Sequence, residues 1–308
     1  MSINTISLAE KMTGELDKAV VQKSVTGFLA DNTMRAKFVG AKTVLIPNME
    51  MSGLGTYNRD TGFVGGSITV GNEAYEMTMD RGRSFQLDRE DNDESGATGL
   101  AGQVMGEFVR TRVVPELDAY CLSKLATYAE DAAQTSAVPS GKTLENGVIA
   151  LLTETIQKVR EQVGYDEELV AFVNGDVMNA MEETPEIDRH LDVSDFAKGD
   201  ISHRVRTYNG VAILPVPNSR MKSAFDFLDG ASDGEADGGF VPAADAKNIG
   251  LLVMPKRAAS LIKKTETVRV FDPSANLQAD AWKFDYRLYY DVFVKNSLAG
   301  AVFAYLYD

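Results

Sequence analysis

The first residues along the chain whose types could hold a cation are Asp91-Asn92-Asp93-Glu94-Ser95-Gly96, which carry the early oxygen ligands and the glycine of a calcium-binding loop. Such a loop closes its oxygen shell with a bidentate glutamate at position twelve, where this chain has Gly102. A second acidic loop, Asp233 to Gly238, fails in the same way, with Ala244 at the closing position. The Asp91 run reads instead as a polar lead-in to a helix, where acids favour the positive end of the dipole. Histidine chemistry is limited to His190 and His203, and thiol chemistry to Cys121. A Ser-His-Asp or Cys-His site would need a histidine from an acid-rich polar stretch, and no nucleophile elbow accompanies either one. Gly53-Leu54-Gly55 lies between strands and opens no helix, so it completes neither a phosphate-cradling nor a dinucleotide pattern. Trp282 and its aromatic neighbours read as sheet packing. These residues predict no catalytic site, no cofactor and no metal.

The rest of the composition is that of a folded chain. Of 308 residues, 44% are hydrophobic and 25% charged, which excludes a disordered or collagen-like chain. No run reaches the ~18 apolar residues of a membrane span, and Met1–Thr5 lacks the features of a signal peptide. A single cysteine makes no internal disulfide, consistent with folding in a reducing cytoplasm. The net charge of −14 is clustered: residues 166–200 hold 11 acidic and 2 basic residues, and residues 226–245 hold 6 acidic and none basic. Such fields repel phosphate backbones, which argues against a reader of nucleic acid, and they read first as solvated loops.

Several elements are visible in the pattern. Leu8, Met12, Leu16, Val20 and Val21 give a weakly amphipathic arm that needs a surface to dock on. Thr43–Ile46 and Ser67–Met79 predict one long hairpin over 42–87, around a glycine-rich tip. In its second strand the apolar positions change from even (Ile68, Val70) to odd (Tyr75, Met77, Met79), which predicts a bulge at Gly71-Asn72. A long helix follows, with Leu100, Val104 and Phe108 and then Leu117, Cys121 and Leu125 on one face, and Pro115 predicts a kink within it. Residues 143–164 form a second helix, Leu169–Val173 a buried strand, and Asn209-Gly210 a two-residue hairpin turn. Trp282 to Val294 alternates apolar and polar residues over an unusually long strand, and Ala301–Tyr307 is expected to return beside it. The order predicts an α+β architecture with an extended appendage.

Several of these pieces resemble the major capsid proteins of tailed bacteriophages, the Hong Kong ninety-seven-type capsid fold. The resemblance runs through Ile46-Pro47-Asn48-Met49, the tip Gly55-Thr56-Tyr57-Asn58-Arg59-Asp60, and Asp80-Arg81-Gly82-Arg83-Ser84-Phe85. Its most specific part is Val114-Pro115-Glu116-Leu117-Asp118-Ala119-Tyr120, followed by Tyr208-Asn209-Gly210-Val211, Val216-Pro217 and Ser219-Arg220-Met221.

The resemblance implies an N-terminal arm at 1–41 and an extended hairpin loop at 42–90. It implies a peripheral domain at 91–140 and 258–308, with the kinked spine helix and long strands, and an α/β axial domain at 141–257. It further implies self-assembly into hexamers and pentamers of an icosahedral shell that encloses double-stranded DNA without reading its sequence. The loop tip, with Tyr57, Asn58, Arg59, Asp60 and Phe63, would touch a neighbouring subunit, and Pro115 would mark the spine kink. Further partners would be a separate scaffolding protein, a portal and decoration proteins, with no membrane involved. The place would be the virion capsid, assembled in the host bacterial cytoplasm. No lysine lies between Lys42 and Lys124, so the lysine–asparagine crosslink of some family members is not expected. The arm begins almost at Met1, which favours a separate scaffold over a fused one. The competing reading is a soluble enzyme or cation-binding α+β protein that uses the acidic, glycine-rich loops.

Overall fold

The computed structural model describes residues 24–30, 36–88, 100–184, 191–198 and 201–308. The arm up to residue 23, the Asp91–Gly99 lead-in with its calcium-like loop, and His190 lie outside the described residues, as does the side chain of His203. The chain begins with a 3-10 turn, Gly27–Ala30, and then strands β1 (Lys37–Val39), β2 (Thr43–Met51) and β3 (Ile68–Glu76). Strand β4 (Met79–Asp88) is followed by helix α1 (Leu100–Phe108), a π-helical turn (Val109–Val113) and α2 (Val114–Asp131). Next come β5 (Thr135–Ser136), α3 (Leu144–Val163), β6 (Leu169–Val173), α4 (Gly175–Glu183), β7 (Leu191–Lys198), β8 (Ile201–Tyr208) and β9 (Val211–Pro215). The chain closes with β10 (Phe225–Leu228), β11 (Gly239–Pro242), β12 (Asn248–Pro255), β13 (Ala259–Phe271), β14 (Ala281–Val294), the short α5 (Asn296–Ala299) and β15 (Phe303–Tyr307).

The central sheet has the order β5-β15-β12-β6-β9-β8-β7. Its inner strands β6 and β12 are apolar and buried on both faces because helices cover both. One face meets α2 through Val170, Phe172, Leu252 and Met254; the other meets α3 through Leu169, Ala171, Val173, Leu251 and Val253. Asn209 (φ +51°) and Gly210 (φ +76°) both take the left-handed conformation of the tight turn joining β8 to β9. Asn174 caps α4, its side-chain oxygen accepting from Val177 N at 2.9 Å.

A second sheet, β13-β14-β4, is built on the long alternating strand. The even residues of β14, Phe284, Tyr286, Leu288, Tyr290 and Val292, share the main core with Leu117, Cys121 and Leu125 of α2. On the opposite face, Tyr289 and Phe293 meet Val44, Ile46, Met77 and Ile262 in a small core under the ribbon β1-β2-β3.

Three expectations are corrected. The predicted single hairpin ends at Glu76, and β4 pairs instead with β14, from Met79↔Tyr290 to Asp88↔Ala281. No bulge interrupts the ribbon, which keeps register from Thr43↔Glu76 to Met51↔Ile68. The phase change has another cause, a switch of apolar face in both strands. Near the root, Val44, Ile46 and Tyr75 face the body; further out, Met49, Met51, Ile68 and Val70 lie on the opposite face and are exposed. The hairpin therefore has a core at its root and none beyond. Finally, Ala301–Tyr307 does not return beside β14, because β15 pairs with β12 and, in parallel, with β5. The sheet otherwise made from residues 135–255 thus takes its second strand from the C-terminus.

Tyr307 at the end of β15 donates to Asp176 Oδ2 at 2.6 Å and accepts from Asn174 Nδ2 at 2.8 Å. Burial, reinforced by the bond to the Asp176 carboxylate, pushes its hydroxyl up to about 12. The folded value exceeds the unfolded value of ~10, so the contribution is whole below that pH and is lost as pH rises through about 12. Denaturant unfolding between about pH 9 and about pH 12 should show the stability gap between wild type and Tyr307→Phe closing as pH rises.

Candidate assembly site

Five consecutive residues of α2, Glu116 to Tyr120, carry three side chains that each tie a different part of the molecule. Asp118 is completely buried. It accepts from Ser24 Oγ (2.6 Å), Thr26 Oγ1 (2.7 Å), Thr26 N (3.0 Å) and Val25 N (3.2 Å), all from the arm segment, and from Arg220 Nη1 (3.1 Å) beyond β9. Water would otherwise solvate this carboxylate, so the five donors together are what allow it inside. Glu116 bonds Arg81 at 2.7 Å, and Arg81 also donates to Leu228 O (2.8 Å) and Gly239 O (3.0 Å), one on each strand of the β10–β11 hairpin.

The third tie is Tyr120, whose hydroxyl donates to Asp291 Oδ1 at 2.7 Å. Asp291 was expected among the polar residues alternating along β14, yet it is completely buried. Its other oxygen accepts from Thr78 N (2.9 Å) and Thr78 Oγ1 (3.1 Å), where the ribbon passes into β4. Burial, and then the Asp291 charge, pushes the Tyr120 hydroxyl well above the usual phenol range, so it stays a donor. Arm, ribbon root, long strands and the β10–β11 hairpin are thereby fixed to one helix.

The ribbon carries the tip away from this hub. At its end Asn58 and Gly62 bond each other through both backbone groups (3.2 and 2.7 Å), and Asp60 N donates to Asn58 Oδ1 at 2.8 Å. Gly62 has φ +84°, a conformation that glycine adopts without strain. The turn holds Tyr57 edge-on to Phe63, with ring centroids 5.0 Å apart, yet Phe63 is 90% exposed. Arg59 and Asp60 are also exposed, so all five tip residues singled out from the sequence lie together at the free end. Pro115 lies at the start of α2, just after the π-helical turn, where Val114 N bonds Val109 O. A wider turn at that point leaves room for the pyrrolidine ring, and the lost donor falls where the ladder already changes register.

The second acidic loop is an exposed connection between β10 and β11, braced by the protein's own donors. Asp229 accepts from Ala231 N (2.7 Å) and Ser232 N (2.8 Å) as well as from the Ser232 hydroxyl, and this lowers its carboxyl to about 2. Arg83 donates to Ala236 O at 3.0 Å. Glu167, Glu168 and Glu182 of the other acidic stretch pair with Arg257, Lys256 and Arg206. Among the described residues no group of three or more His, Cys, Asp or Glu could hold a metal ion, and no helix is long and apolar enough to cross a membrane.

No protein-family model and no curated protein matches this sequence. Solved structures do match it. The mature capsid of bacteriophage PhiM1 is similar over 86% of this chain and 82% of its own, with a TM-score of 0.54 and 13% identity. The capsid of cyanophage P-SCSP1u is similar over 88% and 84%, with a TM-score of 0.54 and 12% identity. A chain of Mycobacterium phage Bobi is similar over 94% and 90%, with a TM-score of 0.51 and 12% identity. The chain has the tailed-phage major capsid fold. α1, the π turn and α2 follow one another without a break as one long helix, referred to below as the spine helix. Sequence reasoning had placed Asp118 in the spine motif without giving it a role. The signal was its position three residues before Cys121, beside the apolar face of the helix.

Asp118→Ala would leave Arg220 and the arm donors without their acceptor. Removing one partner of a buried pair costs about 3–5 kcal/mol. Urea unfolding should show a loss of that order, and limited proteolysis should cut faster around residues 24–30.

Proposed function

We propose that this protein is the structural subunit of an icosahedral phage head. Copies assemble into hexamers and pentamers, and these tile a shell around double-stranded DNA without reading its sequence. The observation that carries the reading is the ribbon: paired in register from Thr43↔Glu76 to Met51↔Ile68, rooted in its own small core, and apolar and exposed beyond it. Exposed apolar surface of this kind, on the outer part of an element packed on its own subunit only at its root, marks a protein contact. A subunit whose projecting edge meets a different edge of the next copy closes into rings.

On this reading residues 1–41 are the arm, 42–90 the extended loop, 91–140 with 258–308 the peripheral domain, and 141–257 the axial domain. The π turn with Pro115 is a hinge that lets the spine helix bend as the shell changes shape. A separate scaffolding protein, a portal and decoration proteins complete the particle, which is assembled in the host cytoplasm. The role is structural and involves no catalysis. The absence of any lysine between Lys42 and Lys124 supports a shell held without the lysine–asparagine crosslink.

Deleting residues 53–64 should give a soluble protein with an unchanged melting temperature that builds no closed shells, judged by electron microscopy and sedimentation. Normal shells from the deletion variant would remove the ribbon from assembly. A wild-type chain that stays a compact monomer under shell-forming conditions would overturn the capsid reading.

A further inference from the structure

A cavity of about 450 Å³ lies where the spine helix, β4, β14 and the acidic β10–β11 hairpin meet. Its floor is apolar and aromatic: Phe85 and Phe108 meet edge-on at 4.8 Å, Phe108 and Tyr286 at 5.9 Å, and Val113 and Leu288 complete it. Around its rim Arg81 is used by Glu116 and two carbonyls, Arg83 by hairpin carbonyls, and Asp229 by its own turn. The two remaining charged groups in its wall are Arg112, on the π turn, and Asp237, on the hairpin. Neither side chain has a partner among the described residues.

The ribbon tip has complementary features. Tyr57 and Phe63 form a preset pair of rings, and beside them Arg59 and Asp60 have side chains without partners among the described residues. We propose that the tip of one copy seats its Tyr57–Phe63 pair in this cavity of a second copy, with Asp60 on Arg112 and Arg59 on Asp237. The cavity has the size of sites that take a drug-sized ligand, which two aromatic rings match. Aromatic edges meeting an aromatic floor gain more than their area alone provides. The adjacent charges of opposite sign set the direction of insertion, because reversing it opposes like charges. At 90% exposure, Phe63 is not seated in its own subunit's cavity. Because the tip and the cavity are different surface patches, such a contact is head-to-tail, as ring closure requires.

This inference rests on the tip being an assembly device, and the test separates the two ideas. Asp60→Arg and Arg112→Asp, each made alone in the full chain, should raise the concentration needed for assembly by roughly tenfold or more. The double variant should restore assembly. Melting curves report whether each chain folds. Should Arg112→Asp fail to fold, Arg59→Asp with Asp237→Arg asks the same question on the other pair. Shells from the single variants at wild-type concentrations, or a double variant no better than the singles, would overturn the proposal. If that happens while deletion of residues 53–64 still blocks assembly, the tip docks elsewhere and only this inference falls. If the deletion assembles normally, the assembly role of the tip falls with it.

Discussion

The architecture depends on a carboxylate taken out of water. Asp118 sits in the middle of the spine helix with no solvent contact, and it is tolerable there because donors arrive from two remote segments. An ionised carboxylate in a protein interior costs several kcal/mol unless hydrogen bonds replace its hydration. Any arrangement that leaves the arm segment or Arg220 elsewhere therefore exposes that cost. Asp291 applies the same constraint to the ribbon root: its partners Tyr120 and Thr78 belong to the helix and to the link between ribbon and sheet. Together the two acids tie residues 24–26 and the ribbon root to the same helix.

Strand β14 converts that constraint into shape. Its even residues lie on the spine helix, and Tyr289, Asp291 and Phe293 lie under the ribbon root. A strand buried on both faces cannot slip register without turning one apolar set toward the wrong layer. The ribbon is thus held at its base and free beyond it, and the switch of apolar face along β2 and β3 falls where support from the body ends. A ribbon of two or three strands is marginal alone, and here the rooted core and the double-bonded tip turn support its two ends.

This division fits the proposed role in assembly. The buried carboxylates are satisfied inside each copy, while Tyr57, Phe63, Arg59 and Asp60 are exposed at the tip and Arg112 and Asp237 line the cavity behind the hairpin. On the proposed shell-forming role, folding and association would draw on separate sets of residues. Much of the acidity is also used internally. Arg257, Lys256 and Arg206 pair three glutamates of the 166–200 stretch, and Asp229 organises its own turn.

The sequence alone determined what depends on near neighbours. Period-two alternation marked β14, helical spacing marked the spine and α3, and Asn209-Gly210 required a tight turn because few residue pairs accept two positive φ values. It also placed Tyr57, Asn58, Arg59, Asp60 and Phe63 at one tip, since a glycine-rich turn between two strands brings them together. Tertiary structure decided everything that depends on a distant partner. The apolar positions in Ser67–Met79 change phase, but a bulge and a change of covered face leave the same trace. Only the packing of Val44, Ile46 and Tyr75 on the body distinguished them. Strand β15 is a short apolar run that suits either sheet, but β13 and β4 occupy both sides of β14, and β15 pairs with β12 instead. Asp118 and Asp291 read as ordinary polar positions, because a carboxylate's burial is set by whether donors from remote segments converge on it, and that convergence is a property of the folded chain.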